Sequence, residues 1–89
     1  MAPWYRSTDE LFTAARSLFE RLEADGHAEA AAELRGGYSC LNGLTDGWAM
    51  FLESIDKVRK TRARSFQADD RRALRKIRWT VWRAVYWPR

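Results

Sequence analysis

Residues 7–26 read STDELFTAARSLFERLEADG, and their pattern decides the fold class. Ser7 stands three residues before Glu10, the spacing of a capping box, and Asp9 adds a carboxylate near the positive end of a helix. Behind this start, Leu11, Phe12, Ala15, Leu18, Phe19 and Leu22 fall within an arc of about 120° at 100° per residue. That is one apolar stripe on an amphipathic helix. Gly26 supplies the left-handed residue on which such helices end. The expectation is a helix over 8–25 that must find other helices to cover its stripe.

Working outward, His27 to Arg35 is alanine-rich, with Glu29 and Glu33 one turn apart. It reads as a short second helix, 27–35, folded back on the first. Gly36-Gly37 is read as its stop, and 36–45 as a glycine-rich turn. Within that turn Asn42-Gly43 reverses the chain, and Thr45 or Asp46 caps the next helix. Leu44, Trp48, Phe51, Ile55 and Val58 then recur at four- and three-residue steps beside Leu52, giving a third helix over 46–60. Extending it past Lys60 would bring Arg59 and Arg62 onto the buried stripe, where an unpaired charge is costly. A basic linker is therefore placed at 61–65. An unbroken helix over 46–86 is the alternative, but it would run about 60 Å and suit a coiled-coil dimer.

Ser65 is placed as cap of the last helix, 67–86, with Asp69 and Asp70 in its opening turns. Its stripe is Ala73, Leu74, Ile77, Val81, Ala84 and Val85, and Pro88 stops it. Nothing alternates with period two, and no internal repeat or family signature is evident. The expected fold is all-α, a single-domain bundle of four helices in 89 residues, with 1–6 as an N-terminal arm. The predicted core is Leu11, Phe12, Leu18, Phe19, Leu22, Leu34, Trp48, Phe51, Leu52, Ile55, Leu74, Ile77, Val81 and Val85.

Charge is distributed unevenly. The chain carries +4 overall with a mean hydropathy of −0.57 and a pI near 9.7. Residues 1–47 hold four Arg against eight acids, whereas 48–89 hold twelve Lys and Arg against four acids. Either the acidic half folds onto the basic half and neutralises it, or the basic half contacts phosphates. The first is the expectation for one small domain.

The last helix carries a second surface. Trp79, Trp82 and Tyr86 follow at i, i+3 and i+7 on a face more than about 100° from the aliphatic stripe, flanked by Arg71, Arg75 and Arg78. Arginine and tryptophan are the usual anchors of protein interfaces. The competing reading is that Trp4 and Tyr5 of the arm cover these rings. The favoured expectation is a non-catalytic protein-interaction module, possible self-association included, acting through this face. The alternative is single-stranded nucleic-acid binding by the basic half, with Lys57, Arg59, Lys60, Arg62, Arg64 and Arg83 as phosphate contacts and the rings stacking bases. Duplex reading by a helix-turn-helix is poorly served by bulky aromatics among the arginines. Trp82, Tyr86, Trp87, Arg83 and Arg89 have the composition of a membrane-surface helix, but a clean core stripe fits a bundle better.

Enzymatic chemistry has little to work with. Cys40 and His27 are the sole cysteine and histidine; a nucleophile–base pair from them would lack an orienting third group, and Cys40 is expected to be a buried, inert thiol. Dispersed acids and single soft ligands supply no metal site, and Gly36, Gly37, Gly43 and Gly47 are followed by no Gly-Lys-Ser/Thr phosphate cradle. No catalytic residue, cofactor, metal or small-molecule substrate is expected. A lone cysteine and the absence of an apolar leader at Met1–Arg6 lead to the expectation of a cytoplasmic chain.

Overall fold

The computed structural model describes residues 4–41 and 46–86. Helix α1 spans Thr8–Ala24, α2 Ala28–Tyr38, α3 Gly47–Thr61 and α4 Ala68–Tyr86, with single 3-10 turns at Ser39–Leu41 and Ala63–Ser65. The radius of gyration is 12.1 Å, the size expected of one compact domain of this length. Each helix packs on its neighbour in sequence, and α4 returns to α1. Cross-helix partners give the directions. Lys57 of α3 and Arg62 just past its end meet Glu33 and Glu29 of α2 in that order, and Arg21 near the end of α1 meets Asp70 near the start of α4. Both pairs of helices are antiparallel, as in an up-and-down bundle.

The start of α1 follows its sequence. The Ser7 hydroxyl accepts from the Glu10 amide at 3.1 Å, and Gly26 takes a φ of +88° just past the helix end. Leu11, Ala15, Leu18, Phe19 and Leu22 are buried along the predicted stripe. With Leu34, Phe51, Leu52, Ile55, Val58, Leu74, Ile77 and Val81 they form one continuous core. Three residues predicted for that core, Phe12, Trp48 and Val85, lie only half-buried at its rim. The Phe12 and Trp48 rings instead stack on each other with centroids 6.4 Å apart.

Three boundaries differ from the expectation. Helix α2 does not stop at Gly36-Gly37 but runs through to Tyr38. The glycines serve close approach: a Cβ on Gly37 would overlap the Ser54 hydroxyl and lie 3.1 Å from the Phe51 Cα. Continuing the helix carries Tyr38 into the bundle, where its ring meets Phe12, Phe19 and Phe51 edge-on at 5.6, 5.5 and 5.8 Å. The glycine-rich turn placed at 36–45 is thus helical as far as Leu41, and the Asn42-Gly43 reversal and the Thr45 cap lie outside the described residues. Asp46 sits at the N-cap of α3 but makes no side-chain cap bond.

The linker placed at 61–65 is likewise structured. The helical chain ends at Thr61, and a 3-10 turn buries Ala63 and directs Phe66 into the core. Ser65 therefore does not cap α4, whose first bond runs from the Arg71 amide to the Gln67 carbonyl at 2.9 Å. The break also excludes a continuous 46–86 helix. Pro88, the predicted stop, lies outside the described residues.

Asp70 is only 3% exposed. Its carboxylate accepts from Arg21 Nε at 2.8 Å, and it sits in the first turn of α4, where the helix dipole favours a negative charge. The ion pair and the helix dipole offset part of the desolvation cost that an unpaired buried carboxylate would carry in full. The pair fixes α4 against α1.

Candidate functional site

Helix α4 is built with two sides because its sequence carries two stripes. Leu74, Ile77 and Val81 face the core, and the remaining surface divides between the α1 side and the α3 side. On the α1 side runs the N-terminal arm. The Tyr5 amide donates to Thr80 Oγ1 at 2.8 Å, the Lys76 ammonium lies 4.4 Å from the centre of the Tyr5 ring, and the Arg83 guanidinium lies 4.0 Å from the Trp4 ring. The arm therefore occupies the row Lys76, Thr80 and Arg83. Among the described residues, Trp4 and Tyr5 do not stack on the Trp79, Trp82 and Tyr86 rings.

Burial lifts the Tyr5 phenol above its ordinary value of 10.0, Arg21 opposing this and Glu10 adding to it. A raised folded-state pKa means the docked arm holds its full contribution below pH 10 and loses it as pH rises through the raised value. Tyr5→Phe keeps the ring and removes the ionisation. Alkaline unfolding should thus begin at higher pH in this variant than in the native chain, as followed by circular dichroism between pH 9 and 12, all of it above the ordinary range of histidine.

On the α3 side the aromatic rings are open. Trp79 is 43% and Tyr86 62% exposed, whereas Trp82 is half-buried against the core. The rings touch in series, Trp79 to Trp82 and Trp82 to Tyr86, each at 5.5 Å between centroids. Toward the start of the helix this row continues into Arg75 and Arg71. Arg75 is exposed, and Arg71 Nη1 donates to the Phe66 carbonyl. From Arg71 to Tyr86 the row is about 22 Å long.

Arg78 is the exception among the expected site residues. Its Nε donates to Asp56 on α3 at 2.6 Å, and its side chain is only 28% exposed. It clamps α3 to α4 and is not part of the open row. The alternative phosphate contacts are also partly engaged: Lys57 pairs with Glu33 at 3.1 Å, Arg62 with Glu29 at 2.8 Å, and Arg83 lies on the arm. Acidic α2 does neutralise part of basic α3, as the charge split implied. Arg59 meets Asp56 at 3.5 Å, while Lys60 and Arg64 are exposed.

Sequence reasoning did not join Arg59 and Arg64 to Arg71 and Arg75. The turn at Ala63–Ser65 does so, and the four guanidinium groups line one open groove over Ala63 and Leu74. Their separation of up to sixteen positions left no periodic signal.

The Cys40–His27 pairing is not formed. The two residues flank opposite ends of α2, a helix about 16 Å long. The His27 ring packs half-buried 4.9 Å from Phe66, and Cys40, expected to be buried, is half-buried, its Sγ 3.5 Å from the Gly36 carbonyl. Among the described residues no helix is long and apolar enough to cross a membrane. Trp87 and Arg89, counted toward a membrane-surface reading, lie outside the described residues. Compared with known proteins, the chain matches no family model, no curated protein sequence and no solved structure.

Proposed function

We propose that the protein is a non-catalytic docking module that binds a segment of a partner protein along the α3 side of α4. The observation that carries this reading is the continuity of the row: exposed aromatic rings at one end pass directly into Arg75 and Arg71 at the other. Trp79 and Tyr86 expose together roughly 200–250 Å² if each ring offers the usual aromatic area. A stable interface buries about 800 Å² on each partner. Triad-to-triad pairing of two copies supplies too little, so the occupant must use the arginines as well. The matching partner is an acidic segment with an apolar or aromatic anchor about four residues from its carboxylates.

Peptide display against the immobilised native chain, with Trp79→Ala and Arg75→Ala chains as counter-screens, reads this chemistry directly. Selected peptides are expected to pair acids with an anchor and to lose about 30-fold in affinity against Trp79→Ala, the loss typical of an interface hot spot. Peptides indifferent to both substitutions overturn the reading. Light scattering on the isolated chain separates off self-association, because a dimer dissolved by Trp79→Ala places a second copy on this face and displaces the acidic-partner proposal.

A single nucleic-acid strand is the second reading, favoured by the arginine groove next to stackable rings. It requires affinity for labelled oligothymidylate that falls with salt at a slope of about 0.7 per phosphate contacted.

A further inference from the structure

We infer that the groove formed by Arg59, Arg64, Arg71 and Arg75 is a binding site for a phosphate monoester carried by the docked partner segment. The site lies where the end of α3, the Ala63–Ser65 turn and the start of α4 converge, with an open volume of about 550 Å³. Its lining is four arginines on the buried floor of Ala63 and Leu74, and it contains no carboxylate. An apolar floor weakens screening and strengthens every charge interaction above it.

Two of the four guanidinium groups are already oriented. Arg71 is tethered to the Phe66 carbonyl, and Arg59 to Asp56 at 3.5 Å. Arg64 and Arg75 have no side-chain partner among the described residues. Asp56, the acid closest in contact, is shared with Arg78 at 2.6 Å, so it offsets little of the groove's charge. Arg71 and Arg75 also stand at i, i+4, an arrangement that costs a helix stability when both carry the same sign. A bound anion relieves that repulsion.

The charge count selects the class of anion. One arginine fork satisfies a carboxylate, whereas a phosphate monoester brings nearly two negative charges and three terminal oxygens to several forks at once. A nucleic-acid strand needs a track of phosphate contacts, but beyond the groove only Lys60 of the expected contacts stays exposed and unpaired, whereas Lys57 and Arg62 are paired to α2 and Arg83 lies on the arm. One isolated groove suits one phosphate. The identity of the occupant rests on the docking reading; the affinity for phosphate itself does not.

The test follows arginine Nε–H resonances of the full chain as inorganic phosphate replaces chloride at fixed ionic strength and pH 7.5. Saturable shifts of several arginine signals, weakened at least tenfold in Arg64→Ala/Arg75→Ala and kept in Arg6→Ala, are the expected result. Both altered side chains of the double variant are exposed, and its thermal midpoint serves as the control for folding. A phosphoserine peptide should bind at least tenfold more tightly than its unphosphorylated twin. Linear shifts equal to those caused by chloride overturn the site. Tighter binding of oligothymidylate than of the phosphopeptide, at equal phosphate concentration, overturns the monoester assignment. Trp79→Ala should leave the phosphate response intact, so failure of the groove and failure of the aromatic dock are read separately.

Discussion

Phe51→Ala is expected to lower the stability of the chain by about 3–5 kcal/mol, the cost of emptying a fully packed phenylalanine site. The ring is wholly buried and meets Tyr38 edge-on at 5.8 Å, while its backbone lies against Gly37 on α2. The cavity would open beside Tyr38 and Gly37, at the contact of α2 with α3, the pair with the most extensive contact in the bundle. At roughly 0.05–0.15 kcal/mol per residue, a domain of this length holds about 4–13 kcal/mol in all. Urea titration should show the midpoint falling by about a quarter or more of its native value, or the chain unfolded at the outset. Phe12→Ala, at the half-buried rim, should cost less than half as much. Equal costs would mean that the two rings share one environment.

The second large effect comes from the smallest side chain. A Cβ on Gly47 would overlap the Cys40 carbonyl oxygen and lie 2.9 Å from the Cys40 carbonyl carbon and 3.3 Å from the Leu41 Cα. These are backbone atoms of the 3-10 turn at Ser39–Leu41, and no rotamer change relieves them. Gly47→Ala is expected to cost about 3 kcal/mol, at the upper end of ordinary overpacking. Gly36→Ala is the control. Nothing lies within 4 Å of a Cβ there, and the site is inside α2, so alanine should add about 0.5–1 kcal/mol. Opposite signs from the same substitution at two helical glycines, measured by thermal unfolding, establish that packing and not helix propensity decides.

The same contrast explains how much of the fold is legible in the sequence. The stripes of α1, α3 and α4 are legible because an amphipathic helix repeats its apolar residues and marks its ends locally, as Ser7 and Gly26 do. Gly36-Gly37 misleads because glycine both ends helices and lets them approach; Ser54, which settles the matter, is seventeen positions away. Phe66 stands alone between polar residues, so no periodicity marks it as core. At the site, helical spacing suffices to put Trp79, Trp82 and Tyr86 together. It also groups Arg78 with them, because a single helix cannot show that Asp56 on α3 holds that guanidinium. The four-arginine groove depends on the direction the chain takes at Ala63–Ser65, a tertiary property without a sequence period.

The bond between the Tyr5 amide and Thr80 spans 75 positions, and Arg21–Asp70 spans 49. Both join early-made chain to late-made chain. At about 5–20 residues per second on the ribosome, roughly 2–9 s pass between completion of α1 and emergence of the first turn of α4. Throughout that interval Leu11, Leu18 and Leu22 lack the cover that Leu74, Ile77 and Val81 of α4 provide in the finished core. A nascent chain interrupted before residue 68 thus lacks the side of the core that α4 closes, and apolar surface left open in this way is what chaperones engage.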